Sequence, residues 1–410
     1  MTSVRVLLSA YACAPGEGSE PEVGYRALLA AAAEHDVWLL TRPDNLRRLQ
    51  PVLDRMTNPT KIHPVVVEPG WEALATKRAL GKLGEAWHYY RWQRLARRTA
   101  IELDRRVKFD VVHHVTYATY WTPAGVAALH RKFVWGPVGG GTRAPWRLLQ
   151  ELGLLGVGHE LVRMVAQQVL PLLWGAVWRQ RLDTTVLVQN EATARRLGRL
   201  DAIVMSNATA VDIALQTGQG SLERNGDVVV VGRLIPLKGG VLATRMLKYL
   251  NGQTKLIFFG EGPDSSRIQR AARRWGVADR VVLAGKVERE DLLDHVRRAG
   301  VLLHPALRDE AGLAVAEALT LGTPVVSLAG TAPAQLTRLW PETPSISVAV
   351  GSPDQTARRL AAAVSELLAA SPPVPAETQL PTLAFRDVVL SCYMKASGPT
   401  TSFPSSWNGA

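Results

Sequence analysis

Two hydrophobic rhythms alternate along this chain. Short continuous apolar runs rich in Val, Leu and Ile are separated by longer stretches in which apolar residues recur every three or four positions. The first run, VRVLLSA (residues 4–10), stops at a Gly/Pro loop and predicts a strand buried on both faces. PEVGYRALLAAAAEH has helical spacing with Pro near its start, where a missing N–H costs nothing. DVWLLT, HPVVVE, FDVVHHV, KFVWGP, TTVLVQ and DAIVMSN predict further strands. Residues 77–108 and 146–182 predict helices, the first basic and the second rich in Leu, Val and Trp with scattered Arg. After the polar segment TGQGSLERNGD the rhythm restarts, with strands at VVVVGRL, KLIFFGEG, VVLAGKV, VLLHPA and TPVVSL.

Strand–helix alternation over two similar halves predicts an α/β protein built from two facing Rossmann-like domains, with a ligand cleft between them. The boundaries read as residues 1–210 for an N-terminal domain, 211–227 for a linker and 228–375 for a C-terminal domain. A last helix over 376–396 is expected to cross back to the first domain, and 397–410 reads as a disordered Ser/Pro tail. A length of 410 residues, 47% hydrophobic and 20% charged, agrees with two globular domains.

Charge adds an asymmetry. The net charge is +12, and residues 1–205 hold 27 Lys and Arg against 18 Asp and Glu, whereas the remainder holds 21 against 18. A basic first half implies either an anionic partner or a compositional bias that aids solubility. The aromatic and basic residues of 77–108 and 146–182 suit peripheral contact with an anionic membrane; the other reading is one core helix and one solvated basic helix. No aromatic-basic RNA motif, zinc spacing or helix-turn-helix is present, so nucleic acid is not expected as a partner. Cys13 and Cys392 are the only cysteines, far apart and without metal-ligand spacing, which fits a reducing compartment. The first apolar run is too short for a signal peptide, and no stretch is long and apolar enough to span a membrane.

Four strand ends in the second half carry candidate chemistry. In VVVVGRLIPLKGG, Arg233 and Lys238 follow Gly232 ahead of a helix, as a pyrophosphate site requires or as solvated loop cations would. Gly260, Glu261 and Gly262 form a tight turn in FFGEGP. Gly285, Lys286 and Val287 close the next strand, where main-chain groups could pair with a planar base. In LRDEAGLAVAEALTLGTPVV, Ala311, Gly312 and Leu313 open a helix whose first amides suit an anion. Asp309 there is either an N-cap or a ligand group. Glu317 is either an exposed helical acid or an acceptor for two vicinal hydroxyls.

In this order the four strand ends resemble the nucleotide-sugar-binding half of a retaining glycosyltransferase of family 4 (glycosyl transferases group 1). That family has the GT-B fold of two facing Rossmann-like domains with an interdomain cleft. Its pattern, Gly-Arg-Leu…Lys-Gly, Gly-x-Gly-Pro, Gly-x-Val/Leu, then Glu-seven residues-Glu before Gly-x-Pro-Val-Val, is nearly all matched across residues 228–328, with Asp309 in the place of the first Glu. Counting back eight from Glu317 reaches Asp309, so the resemblance implies Asp309 at the hexose hydroxyls and Glu317 at the ribose, with Glu310 one residue out of register.

The first half resembles the same family more loosely. SAYACAPGEGSEPEVGY implies that Gly16, Gly18, Ser19 and Glu20 lie near the transferred sugar and acceptor, although Glu22 and Tyr25 stand where Gly and Trp are common. VHHVTY resembles a strand end carrying a cleft histidine, with the choice between His113 and His114 open; the bare reading is one core and one solvated histidine. GPVGGG adds Gly139 and Gly140, and Ala208 replaces the glycine of an interdomain Asn-Gly-x-Asp segment.

The resemblance implies metal-independent transfer of a hexose-type sugar from a UDP- or GDP-sugar to a glycan, lipid-linked or small-molecule hydroxyl. It implies no cofactor and a cytoplasmic setting, at the inner membrane face if the basic helices bind lipid. Arg233, Lys238 and the two histidines are the catalytic candidates. A nucleotide-sugar epimerase of the same architecture, or a non-catalytic nucleotide-sugar-binding homologue, is the alternative.

Overall fold

The structure is a computed structural model that describes residues 3–16, 19–55, 61–70, 81–173, 184–199, 201–210, 224–250, 252–370 and 385–394. Gly18, most of the expected linker (211–223) and the expected tail (397–410) lie outside the described residues. The chain divides into two compact units. The first comprises the described residues of Met1–Gly141, Ala166–Val211 and Leu383–Ala410, and the second those of Thr142–Val165 and Asp212–Thr382.

The first unit holds β1 (Arg5–Ser9), α1 (Ser19–Glu34), β2 (Asp36–Thr41), α2 (Pro43–Leu53), β3 (Ile62–Val66), α3 (Gly81–Val107), β4 (Val111–His114), β5 (Lys132–Val138), the end of α4 (Gly153–Leu173), β6 (Thr184–Val188), α5 (Glu191–Leu197) and β7 (Ile203–Val204). Its seven strands pair in the order β3-β2-β1-β4-β5-β6-β7, all parallel. Helices cover both faces of β1, so its side chains are apolar in succession rather than alternately. Val6 and Leu8 enter a core with Val23, Leu28 and Leu49, while Leu7 enters another with Trp92, Phe109 and Trp135.

The second unit holds β8 (Val228–Val231), α6 (Gly240–Leu247), β9 (Leu256–Phe259), α7 (Ser265–Arg274), β10 (Val281–Gly285), α8 (Arg289–Arg298), β11 (Val301–His304), α9 (Leu313–Thr320), β12 (Val325–Leu328), α10 (Ala332–Leu336), β13 (Ser345–Val348) and α11 (Pro353–Ala370). Its six parallel strands run β10-β9-β8-β11-β12-β13. This order reverses at β8 and β11, the kind of place where open α/β sheets bind ligands outside the strands' carboxyl ends. The final helix α12 (Phe385–Met394) returns to the first unit, where Phe385, Val389 and Cys392 share the core of Val6 and Val23.

One boundary differs from the expected N-terminal domain over 1–210. Residues 142–165 fold with the second unit, because Leu148 and Leu152 bury themselves among Val228, Leu234, Leu242 and Met246. Burying each such Leu stabilises by about 1.5–3 kcal/mol, enough to fix the segment's allegiance. The strand expected in DAIVMSN shrinks to two residues, and β13 is an added strand.

Candidate functional site

The carboxyl ends of β8 to β11 supply the site in the second unit. Glycines let the loops beyond them approach closely. Gly239 has φ 72°, and a Cβ there would lie 2.1 Å from the carbonyl oxygen of Pro305. The loop carrying Lys238 therefore lies backbone against backbone on the loop after β11, joined also by Leu307 N–H donating to Leu237 O at 2.9 Å. Gly260 has φ 133°, and a Cβ there would lie 2.1 Å from Gly232 O. Its amide donates to Gly285 O at 2.7 Å, so the ends of β8, β9 and β10 are drawn together. Any side chain at either glycine would force them apart.

Three charged or titratable groups and two backbone amides meet on this frame. Lys238 Nζ donates to Asp309 Oδ2. His304, the last residue of β11, places Nε2 3.1 Å from the same oxygen. The amides of Ala311 and Gly312 each donate to Asp309 Oδ1 at 3.3 Å. The helix-start amides expected to face an anion are thus turned, for Ala311 and Gly312, toward Asp309. Leu313 follows as the first residue of α9, with an amide that has no intrahelical acceptor by geometry. Burial alone would raise the Asp309 carboxyl, but the His304 hydrogen bond and the Lys238 charge outweigh it and hold it far below the usual carboxylate range. Burial pushes His304 down, against the pull of Asp309.

Glu317, a single acid on an otherwise apolar helix, is only 5% exposed, which excludes a solvated helical position. Its Oε1 lies 2.8 Å from Arg289 Nη1 at the start of α8. Burial raises its carboxyl and Arg289 opposes the rise. Arg233, Glu261 and Lys286 are exposed, Gly232, Gly262, Gly285 and Val287 are half-buried, and Arg233 has no side-chain partner among the described residues. Glu310 points elsewhere. It accepts from Thr142 Oγ1 and lies 3.4 Å from Arg163 Nη2, both on the segment before β6 that joins this unit. Sequence reasoning missed His304 and Arg289. His304 was signalled only as a polar residue ending the apolar run VLLH, and Arg289 only as one charge among several in VERED.

In the first unit the candidates have structural placements. The bare reading of one core and one solvated histidine is corrected, because both are fully buried. Adjacent strand residues face opposite sides, and here both sides are covered. His113 Nδ1 meets Tyr393 Oη on α12 at 2.8 Å, and its Nε2 meets Gly136 O at 2.9 Å. His114 Nδ1 meets Ser9 Oγ and its Nε2 meets Tyr89 Oη, both at 3.2 Å. Every ring nitrogen is thus within hydrogen-bonding distance of a group of this unit.

Glu20 accepts from Tyr117 N–H at 2.8 Å and Asn207 Nδ2 at 3.1 Å, tying the start of α1 to two loops, and burial raises its carboxyl. Gly16 donates its amide to Glu22 at 2.8 Å, and Ser19 is the first residue of α1. Gly139 N–H donates to Ala118 O, and Gly140 O accepts from Gln167 Nε2, both at 2.8 Å.

The buried histidines predict acid lability. Burial lowers His113 to about 4, and burial followed by the neighbouring His113 lowers His114 to about 3, from 6.5. Below 6.5 the unfolded chain therefore binds protons that the folded chain refuses. Their contribution is complete above about 6.5 and is lost as pH falls through about 4. Glu20 and Glu317, raised by burial, act in the opposite sense, so a difference measurement is needed. Urea midpoints followed by tryptophan fluorescence are expected to fall across that window, and less steeply in His113→Asn. An identical slope in the variant would remove His113 from the account.

Comparison with known proteins shows what this chain is similar to. Residues 216–369 match the family described as Glycosyl transferases group 1. The D-inositol 3-phosphate glycosyltransferase of Xylanimonas cellulosilytica is 35% identical over 130 residues, 31% of this chain and 31% of that protein. A GDP-mannose-dependent alpha-(1-6)-phosphatidylinositol monomannoside mannosyltransferase of Mycolicibacterium smegmatis is 36% identical over 110 residues, 24% of this chain and 29% of that protein. The chain thus spans about a third of the length of these curated relatives. The solved structure of sucrose-phosphate synthase from Thermosynechococcus elongatus superimposes with a TM-score of 0.54 at 18% identity, over 95% of each chain. The fold is that of the GT-B glycosyltransferases. Over residues 216–369 the chain is similar to glycosyl transferases group 1.

Proposed function

We propose that this chain is a retaining glycosyltransferase that moves a hexose-type sugar from a UDP- or GDP-sugar to a hydroxyl of a glycan, lipid-linked or small-molecule acceptor. The observation that carries the reading is the Lys238–Asp309 pair, oriented by His304, at the switch point of the second sheet. A diphosphate oxygen competes with Asp309 for the Lys238 ammonium, and sugar hydroxyls compete with Lys238 for the carboxylate. Glu317 and Arg289 repeat the arrangement for the ribose.

Arg233, Lys238 and the start of α9 stabilise the charge that develops on the leaving diphosphate, with no divalent metal required. The bond from the anomeric carbon to the phosphate oxygen breaks as the acceptor oxygen bonds to that carbon on the same face. The acceptor proton passes to the departing phosphate oxygen. Asp309 and Glu317 bind and orient; neither acts as a general base. The setting is cytoplasmic, at or near the inner face of a membrane, which suits the two buried free cysteines.

A thermal-shift screen of UDP- and GDP-sugars is expected to single out one donor, with about 2.7 kcal/mol of added stability at a hundredfold excess over Kd. The product anomer then has the donor's configuration. Turnover of the nucleotide sugar without acceptor would instead mark an epimerase, and donor binding with no transfer to any acceptor would mark a non-catalytic homologue.

A further inference from the structure

The segment from Trp146 to Val165 is built inside out. Trp146 is 75% exposed, Leu154 94%, Leu155 84%, Leu161 52%, Val162 69% and Val165 62%. On α4, residues 154, 158, 161, 162 and 165 fall on one stripe, and the only polar residue exposed beside them before Val165 is His159. The charged residues of α4 turn the other way. Glu160 is buried between Arg163 and Arg308, and Arg163 reaches Thr142 O at 3.0 Å and Glu310 at 3.4 Å. The helix is thus fastened by its polar side to the loop that carries Asp309, and its apolar side faces outward. By contrast α3 buries Tyr89, Trp92, Ala96 and Ala100 and exposes Arg94, Arg97, Arg98, Arg105 and Arg106, so it is a core helix with a solvated basic face. The structure therefore separates the two helical regions that sequence alone treated alike.

Charge selects the occupant of the apolar face. The acids of residues 142–165 are Glu151 and Glu160; both are buried, Glu151 against Arg245 and Glu160 against Arg163 and Arg308. The exposed surface of the segment carries Arg147 and no carboxylate. The Arg147 guanidinium lies over the Trp146 ring at 5.1 Å, an aromatic–cation pair suited to the level of lipid headgroups. A second copy is a poorer partner, because a two-fold pair would bring two acid-free faces together and leave Arg147 without a counter-charge. A strongly apolar face with one exposed cation and no exposed carboxylate suits an anionic bilayer.

We propose that the outward face of Trp146–Val165 seats in the headgroup–acyl boundary of an anionic membrane, with Arg147 among the phosphates. This deepens the membrane part of the proposed function and rests on no step of the donor chemistry. The full chain is expected to sediment with vesicles of phosphatidylcholine containing about one-third phosphatidylglycerol, less so as salt rises. Replacing outward side chains in a triple variant, Leu154→Ser, Leu155→Ser, Val162→Ser, is expected to lower partitioning by roughly tenfold or more. The donor-induced thermal shift is expected to be unchanged in that variant, so failure here and failure of the transferase reading are separable. Quenching of Trp146 by brominated-acyl lipid, taken as the difference between the parent and Trp146→Phe, tests the same contact without the triple variant. The proposal is overturned if the parent stays in the supernatant, if the triple variant sediments as well as the parent, if Trp146 is not quenched, or if the parent is a dimer that the triple variant converts to a monomer.

Discussion

Lys238→Ala is expected to keep the fold and lose kcat/KM for the nucleotide sugar by about two to three orders of magnitude, the scale typical of removing a charge-stabilising group from a transition state. The expected survival of the fold follows from local geometry. Lys238 is half-buried, and its removal does not orphan Asp309, which retains His304 and the amides of Ala311 and Gly312. The expected catalytic loss follows from the same placement. The Pro236–Lys238 turn ends beside the β11 loop because Gly239 permits backbone contact with Pro305, so no flexible segment delivers the ammonium. Arg233, exposed and without a side-chain partner among the described residues, is less well positioned to substitute. Steady-state kinetics with the donor, alongside circular dichroism and a melting curve, test both halves. A folded variant within a few-fold of parental turnover would falsify the role given to Lys238.

The second unit was more legible in the sequence than the first, for physical reasons. Its strands β8 to β11 are continuous apolar runs that each end at Gly or a polar residue, and the candidate loops follow directly in sequence. β13 escaped notice because Ser345–Val348 alternates Ser with apolar residues and begins directly after a proline. The allegiance of residues 142–165 was not legible, since an apolar helical pattern says that a face will be buried but not against which sheet. His113 and His114 show a similar limit. Their alternation across the sheet could be read, but the covers come from α3 on the His114 face and α12 on the His113 face, and α12 lies some 270 residues further along the chain. Partnerships such as His304 with Asp309 and Arg289 with Glu317 become visible only when strand ends are side by side. The register of the acids, by contrast, rested on a spacing of eight residues and needed no tertiary information.

That register leads to the second large expected effect. Asp309→Asn is expected to weaken donor affinity by about ten- to a hundredfold, or about 1.4–2.8 kcal/mol, as loss of a charged hydrogen-bonding group does. Glu310→Gln is expected to stay within about threefold. The two carboxylates are adjacent in sequence, yet their oxygens serve different neighbours. Asp309 turns both oxygens into the strand-end frame, one toward Lys238 and His304 and the other toward the amides that open α9. Glu310 turns away to Thr142 and Arg163. Its loss should loosen residues 142–163 and lower the melting temperature, without touching Lys238, His304 or the amides that hold Asp309. Donor titration calorimetry on both variants separates these effects, since affinity and stability move independently. If Glu310→Gln loses donor affinity while Asp309→Asn retains it, the register is off by one. The hexose would then lie on the Arg163 side of the loop, and the Lys238–Asp309 pair would be a structural tie rather than part of the donor site.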